Sequence, residues 1–189
     1  MKLLVVDHNA VHPGYRTLYQ KIAELGGVEL RLVVPNKWFD TYRLVTFVPP
    51  QAPAHFEIFG SDVLFPTRTH RMIYLSLRKH FRSFRPDVVY VNAEPENFQT
   101  FESSLLADSK TKLVFSSWRN VDHSIEGYPY RFSLLHRTIE HRTFGRFNHG
   151  VVFSQAAKSI FERLGFHSTT FIPPSVDRIL TRPFSSMVI

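Results

Sequence analysis

The amino-acid sequence predicts an α/β fold: a Rossmann-like, open and mainly parallel sheet with helices on both faces, in a single domain. Two observations carry this prediction. Short runs rich in Val and Leu alternate along the 189-residue chain with segments whose apolar residues recur every three or four positions. Continuous Val/Leu runs are typical of parallel strands buried on both faces, and the alternation of strand and helix is typical of doubly wound sheets.

Five segments are predicted to be strands because each is a short apolar run bounded by turn residues. They are residues 3–6, 29–34, 88–91, 113–115 and 151–153. The irregular stretch 38–65 contains Pro49, Pro50 and Pro53 and is predicted to hold one or two further strands with long loops.

Five helices are predicted between these strands. The first carries Leu18, Ile22 and Leu25 at helical spacing, and Gly165 is placed to end the last one. Ser154 is interpreted as the N-cap of that last helix. The predicted helices are residues 14–25, 68–84, 98–107, 131–144 and 155–164.

Composition and charge exclude several classes of protein. The chain has 23 Lys and Arg against 16 Asp and Glu, a net charge of +7, and no cysteine. The lack of cysteine excludes a disulfide scaffold, a thiol nucleophile and a thiolate zinc site. No apolar run reaches the roughly 18 residues of a membrane span, and the first apolar run is too short for a signal peptide. We expect a cytoplasmic protein, with peripheral attachment to the inner face of the membrane left open.

In an open α/β sheet, ligands bind beyond the carboxyl ends of the strands. After the first strand, Gly14 precedes a helix and would let a ligand approach the backbone closely; an ordinary turn glycine is the alternative. G-x-G-x-x-G, Walker A, G-x-S-x-G and H-E-x-x-H are all absent. No cofactor and no metal are therefore predicted.

Polar residues also follow the third and fourth predicted strands. Glu94 could accept hydrogen bonds from sugar hydroxyls or take a proton, with a helix N-terminal acid as its alternative. That second role is the interpretation of Glu96. Further on, Trp118 offers a flat face for a sugar ring, Asn120 reads hydroxyls, and Arg119 could hold phosphate. The alternative is a capped loop with a core tryptophan.

Positive charge is concentrated between residues 63 and 86, a stretch without an acid. Its apolar residues have helical spacing, which predicts an amphipathic helix able to lie against anionic lipid. The cationic residues assigned to membrane or anion binding are Arg71, Arg78, Lys79, Arg82 and Arg85. Solvated faces of ordinary core helices are the alternative, and nucleic acid is not a predicted partner because no RNP, HTH or KH signature occurs.

Several segments, in order, resemble the N-terminal domain of family 4 glycosyltransferases, which have the GT-B fold. Residues 86–95, PDVVYVNAEP, resemble the family's PDVV strand followed by EP. Residues 115–120, FSSWRN, resemble its W-Q-N segment, and 128–132 resemble YPxPF. Residues 150–166 resemble the strand, helix and glycine before the linker, and 171–177, FIPPSVD, resemble V-I-P-x-G-V-D.

The resemblance implies a domain that transfers a sugar from a nucleotide-sugar donor to a glycan or lipid-linked acceptor. It implies a donor-facing loop of Gly14, Tyr15 and Arg16. It also implies that the acceptor lies beside the central strand ends, at Asn92, Glu94, Trp118, Arg119 and Asn120. Catalytic residues are not assigned. The sequence departs from the family pattern in having one glycine in the first loop, Arg119 where the pattern has Gln, and Ser175 where it has Gly.

The expected organisation is a Rossmann-like domain over residues 1–177 and a linker or tail over 178–189. The nucleotide-sugar domain of the resembled family is absent from these 189 residues. We therefore expect a truncated or split enzyme that is inactive alone, with a partner chain supplying the missing half. The alternative is a non-catalytic Rossmann-like binding module for an anionic glycan, a lipid head group or a partner subunit.

Overall fold

A computed structural model describes residues 1–40, 42–50 and 55–173. The strands are β1 Lys2–Val6, β2 Glu29–Pro35, β3 Lys37–Phe39, β4 Leu44–Thr46, β5 Glu57–Ser61, β6 Val63–Leu64, β7 Ile73–Tyr74, β8 Val88–Val91, β9 Lys112–Ser117, β10 His149–Val152 and β11 Thr169–Phe171. The helices are α1 Thr17–Glu24, α2 Leu77–Phe84, α3 Phe98–Leu106, α4 His123–Glu126, α5 Ser133–Arg146 and α6 Gln155–Arg163.

Seven strands form one parallel sheet in the order β11-β10-β9-β8-β1-β2-β5. The four others make two short antiparallel ribbons, β3–β4 and β6–β7. All five predicted strands are present, and the irregular stretch 38–65 contributes the edge strand β5 and parts of both ribbons. The predicted α/β, Rossmann-like fold is confirmed.

Helices cover the two faces of the sheet unequally. On one face, Tyr19 of α1 packs with Val5, Leu32 and Val34. The other face holds the larger core, to which α2 and α6 contribute Phe81 and Phe161 among other side chains. Helices on both faces were predicted, and the uneven distribution follows from the strand order. From the central strand β1 the chain first adds β2 and β5 on one side of the sheet, with α1 between β1 and β2. It then adds β8, β9, β10 and β11 in turn on the other side of β1. Right-handed crossovers in these two opposite directions place the later helices on the opposite face from α1.

The predicted helix 68–84 is wrong in its first half. Helix α2 begins only at Leu77, and residues Thr69–Arg71 form a single 3-10 turn. Between them, Tyr74 pairs with Val63 in the β6–β7 ribbon, and its backbone N–H donates to Glu102 Oε2 at 2.9 Å. The backbone N–H of Tyr74 is therefore hydrogen-bonded to a carboxylate of α3 and not to a carbonyl of the preceding helical turn, as it would be in a continuous helix.

The predicted helix 131–144 is α5, and its buried side is largely polar. Of its two apolar residues at helical spacing, Ile139 is buried as expected, whereas Leu135 is 46% exposed; His136, Glu140 and Thr143 are buried as well. Thr143 donates to the carbonyl of Pro95 at 2.8 Å. The side facing α3 is therefore chosen by hydrogen bonds to the loop after β8 and not by apolar periodicity.

No helix in the described ranges has the length and hydrophobicity needed to cross a bilayer. The predicted hinge residues beyond Pro173 and the predicted tail 178–189 lie outside the described residues. The domain limit at residue 177 therefore stays a prediction.

Candidate functional site

The carboxyl ends of β1, β8, β9 and β10 lie side by side, because these strands are neighbours in a parallel sheet. A hydrogen-bonded chain runs across three of them. Buried Asp7 accepts hydrogen bonds from Tyr19 at 2.7 Å and from the Asn92 amide at 2.9 Å. The Asn92 amide oxygen in turn accepts from Ser116 Oγ at 2.6 Å. The Asn92 amide is therefore engaged on both sides inside the protein, where it positions the strand ends.

Glu94 joins the loop after β8 to the loop after β9. Its carboxylate accepts a hydrogen bond from Ser117 Oγ at 2.5 Å and one from the backbone N–H of Trp118 at 2.8 Å. Burial raises the pKa of Glu94, and these two bonds together with Arg119 oppose the rise. The predicted acceptor-binding role of Glu94 stays a prediction, and the observed contacts make it the residue that fixes Trp118.

Trp118 lies on the surface beside this carboxylate. Its ring is 56% exposed and stacks on Phe153, with 4.3 Å between ring centroids and 27° between the planes. Asn120, two residues on, is exposed. The alternative of a core tryptophan is wrong. Trp118 and Asn120 are thus predicted acceptor residues that a ligand can reach.

Arg119 points the opposite way, into the protein. It is buried, with its Nη2 2.5 Å from Glu96 Oε2 and 2.6 Å from Glu140 Oε1. Tyr128 donates a hydrogen bond to Glu140. We call these four residues the Arg119 cluster. The predicted contact of Arg119 with an acceptor or a phosphate is contradicted, since the guanidinium is enclosed by carboxylates.

The prediction that Glu96 is an acid at the N-terminus of a helix is also wrong. Helix α3 begins at Phe98 and has no acid in its first turn, while Glu96 lies before it and is fully buried. Burial raises the pKa of Glu96 to about 8, with the negative charges of Glu94 and Glu140 adding to the rise and Arg119 opposing it. Burial lowers the pKa of Arg119, but the same carboxylates outweigh it and the net shift is upward.

The first loop is a pair of 3-10 turns, with Gly14 in the second one, Pro13–Arg16. Gly14 is exposed, and a Cβ added there would have no heavy atom within 4 Å among the described residues. Tyr15 is 60% exposed. Arg16 is buried and donates to the carbonyls of Ala10 and Val11, at 2.8 Å each, and of Val48 at 3.2 Å. The prediction that Arg16 faces a donor is therefore contradicted, whereas the roles of Gly14 and Tyr15 stay predictions.

A histidine–aspartate pair that the sequence reasoning missed lies beside this loop. His12 Nε2 is 3.1 Å from Asp40 Oδ2, and Asp40 Oδ1 accepts the backbone N–H groups of Tyr42 and Arg43. These two backbone bonds and His12 lower the pKa of Asp40 despite the opposing effect of burial, which is its largest single contribution. Asp40 opens the turn of the β3–β4 ribbon, and an aspartate before a turn between two short apolar runs was the available signal.

His123 starts α4, with its Nε2 3.8 Å from Glu96 Oε1. Burial and the charge of Arg119 lower its pKa. The predicted cap Ser154 is confirmed, since its Oγ accepts the backbone N–H of Ala157 at 2.9 Å. Among the described residues, no three His, Asp or Glu side chains are grouped to hold a metal ion.

The five predicted anion-binding residues do not share one helical face. Arg71 precedes α2 and lies over the Phe132 ring at 4.9 Å, and Arg85 ends α2 in the left-handed conformation with φ of 50°. Arg78, Lys79 and Arg82 are exposed on α2. The apolar side of this helix is buried against the sheet. The interpretation as a lipid-facing amphipathic helix is therefore wrong, and anion binding by the three exposed cations stays a prediction.

Comparison with known proteins finds a likeness in structure but none in sequence. No protein-family model and no curated protein sequence matches the chain. Its structure is similar to that of sucrose-phosphate synthase from Thermosynechococcus elongatus, with a TM-score of 0.66 and 9% sequence identity. The match covers 98% of this chain and 51% of that one, so the described fold corresponds to about half of the larger protein. At this identity the likeness establishes the fold alone.

Proposed function

We propose that this domain is the acceptor-side half of a glycosyltransferase of the family 4 type, which binds a glycan or lipid-linked acceptor while a second domain supplies the nucleotide sugar. The observation that carries the proposal is the exposed Trp118–Phe153 stack at the carboxyl edge of the sheet. The fold it shares with half of a sucrose-phosphate synthase supports the assignment.

The strand-end residues divide into those that contact the ligand and those that position them. The Trp118 face stacks against the apolar C–H face of a sugar ring, and the Asn120 amide hydrogen-bonds the ring hydroxyls. The Glu94 carboxylate accepts a hydrogen bond from the backbone N–H of Trp118 at 2.8 Å, which fixes the backbone that carries the indole at the strand ends. The hydrogen bonds that link Asp7, Asn92 and Ser116 hold the ends of β1, β8 and β9 together beside this surface.

Transfer from a nucleotide sugar also requires cations that stabilise the departing diphosphate. Arg16, the cation of the first loop, is engaged with three backbone carbonyls, and Arg119 is enclosed by Glu96 and Glu140. We therefore propose that the phosphate-binding cations belong to the second domain and that the chain alone has negligible transferase activity. Turnover of UDP-glucose or GDP-mannose by the purified chain, faster than by Gly14→Val, would contradict this.

The binding site is tested by titrating the chain with methyl glycosides and short oligosaccharides, followed by NMR of the Trp118 indole N–H and of the Asn120 side-chain amide. We expect Trp118→Ala to weaken binding about tenfold, because a stacked aromatic contributes about 1 kcal/mol or more, and Trp118→Phe to weaken it less. Phe132→Ala removes another exposed aromatic and should leave the affinity unchanged. Equal affinity of wild type and Trp118→Ala would refute the site.

A non-catalytic binding module is the second candidate. It uses the same surface of Trp118 stacked on Phe153, which we call the Trp118 platform. The buried positions of Arg16 and Arg119 favour it, since both cations assigned to phosphate or acceptor contacts are occupied internally. Adding a separately expressed donor domain discriminates between the two. Restored transfer indicates a split enzyme, and glycan binding without transfer indicates a module.

A further inference from the structure

The two antiparallel ribbons carry exposed apolar side chains on adjoining surfaces. Phe39 and Leu44 are cross-strand partners in the β3–β4 ribbon and are both exposed. Leu64 and Phe65, at the end of the β6 strand, are exposed as well. The backbone N–H of Phe39 donates to the carbonyl of Pro66 at 3.0 Å, which joins the two ribbons. We call the set Phe39, Tyr42, Leu44, Leu64 and Phe65 the ribbon surface.

The alternation along β3 shows that this exposure is directional. Trp38 and its partner Val45 face inward, and the Trp38 indole N–H donates to Thr69 at 3.2 Å. Phe39 and Leu44 therefore occupy the opposite, solvent side of the same ribbon. Tyr42 lies in the turn and is 89% exposed. An apolar outer face on a two-stranded ribbon, when its inner face already packs on the core, is unusual for a surface that meets only water.

Phe65 adds backbone strain to this exposure. It has a φ of 57°, the left-handed region that a residue with a bulky side chain seldom adopts. The residue is nevertheless 51% exposed, so only about half of its surface is buried in return for the strain. Strained residues persist where the conformation serves a contact, and here the conformation presents an aromatic ring outward.

The charges around the ribbon surface are mainly positive. Lys37, Arg43 and Arg68 are exposed beside the apolar residues. The two acids of the same segments are already engaged, Asp40 with His12 at 3.1 Å and Asp62 as acceptor of the Asn36 amide at 2.8 Å. Apolar and aromatic side chains flanked by exposed cations match the boundary of an anionic bilayer, where rings enter the head-group layer and cations meet lipid phosphates.

We propose that the ribbon surface docks on an anionic lipid bilayer. It lies beyond the carboxyl ends of β2 and β5, whereas the Trp118 platform lies beyond those of β9 and β10, so the two surfaces occupy different parts of the same edge of the sheet. Helix α2, the cationic element that the sequence favoured, has no apolar side available because Leu77, Phe81 and Phe84 are buried.

The test is sedimentation of the full chain with vesicles of phosphatidylcholine containing about one third phosphatidylglycerol, at low and high salt. We expect binding that salt weakens. We expect Tyr42→Ser with Phe65→Gly to reduce the partition coefficient about tenfold, because two rings leave the interface. Glycine also fits the left-handed φ at position 65, so this variant should fold. Arg43→Glu with Arg68→Glu should reduce binding to the anionic vesicles by at least as much.

The comparison variant is Arg78→Glu with Arg82→Glu on α2, which makes the same change in net charge and tests the competing assignment of anion binding to that helix. We expect it to retain more than half of the binding. Three results overturn the proposal: no binding of the wild type to the anionic vesicles, greater loss in the α2 variant than in the ribbon variants, or a dimer in solution that the ribbon variants dissociate. Sugar titration is measured without vesicles, so failure here leaves the Trp118 result unaffected, and the reverse also holds.

Discussion

Arg119 and Glu96 form a buried ion pair, with 2.5 Å between Nη2 and Oε2 and side chains only 2% and 1% exposed. Glu140 of α5 lies 2.6 Å from the same nitrogen. The Arg119 cluster therefore ties the loops after β8 and β9 to a helix of the outer layer, beneath the Trp118 platform.

Replacing the cation of this cluster should be costly. Arg119→Met leaves Glu96 and Glu140 buried without a cation, and we expect the free energy of unfolding at neutral pH to fall by about 3–5 kcal/mol. Urea denaturation measures the loss. Arg163→Met removes a more exposed ion pair with Asp122 at 3.0 Å and should cost less than about 1 kcal/mol. A loss for Arg119→Met no larger than that of the control would contradict the role of the cluster.

The same cluster should make stability depend on pH. The pKa of Glu96 is raised to about 8 in the folded protein. Between the pKa of this glutamate in the unfolded chain and its pKa in the folded protein, the folded state binds one more proton than the unfolded state. Stability then falls as pH rises toward 8. Between about pH 6.5 and about pH 8.5 we expect a loss of about 1–2 kcal/mol. Glu96→Gln should reduce this loss, with the remainder coming from Glu102, whose pKa burial raises to about 7, and exposed Glu126→Gln should keep the profile. An unchanged slope in Glu96→Gln would exclude Glu96 as its source.

Below about pH 6.5 the slope should reverse. Burial lowers the pKa of His8, His123 and His136, and it lowers that of His70 to about 4. At these pH values the histidines of the unfolded chain bind protons that the same histidines do not bind in the folded protein, so the free energy of unfolding decreases as pH falls. The measurement is thermal unfolding across the acid range, and His70→Gln should lessen the acid loss.

Two glycines should respond oppositely to alanine. A Cβ at Gly150 would lie 2.8 Å from Cζ of Phe115, whose ring is fully buried and contacts Phe147, Phe161 and Phe166. We expect Gly150→Ala to lower the free energy of unfolding by about 1–3 kcal/mol. Gly145 lies in α5 with open space around it, and Gly145→Ala should stabilise by up to about 1 kcal/mol. Guanidinium denaturation of both variants checks the pair, and a stable Gly150→Ala would indicate that the Phe115 ring can shift.

The end of α2 offers a stabilising substitution. Arg85 has a φ of 50° and caps the helix through its N–H to the carbonyl of Phe81 at 3.0 Å. Glycine adopts this conformation without the steric penalty, so Arg85→Gly should raise the free energy of unfolding by about 1 kcal/mol. Arg82→Gly, inside the same helix, should lower it by about 1 kcal/mol. A destabilised Arg85→Gly would show that the arginine side chain contributes more than its backbone costs.

Local sequence patterns predicted an element correctly where a single interaction, apolar burial or a short-range hydrogen bond, determines it. The runs at residues 3–6 and 88–91 are apolar throughout, which is typical of parallel strands covered on both faces. Ser154 caps α6 through an atom three residues away, a distance that is visible along the chain. The candidate edge followed from the rule that ligands bind beyond the carboxyl ends of the strands in an open α/β sheet, and Trp118 became a candidate from its place after β9.

Patterns failed where a distant polar partner decided the outcome. Helix α2 starts late because Glu102, 28 residues away, takes the backbone donor of Tyr74. Arg16 and Arg119 were expected at the surface, as single cations in loops usually are. Their acceptors are backbone carbonyls and buried carboxylates that only the fold brings together.

The sequence by itself determined the alternation of strands and helices, and with it the parallel sheet and the carboxyl edge that holds the candidate site. Tertiary structure alone decided which polar residues of that edge are free. Trp118 is presented to solvent, while Arg119, its neighbour, is enclosed by Glu96 and Glu140. The physical reason is that apolar burial is encoded in short-range periodicity. The pairing of a buried charge depends on carboxylates more than 20 residues away in the sequence, and their positions exist only once the chain has folded.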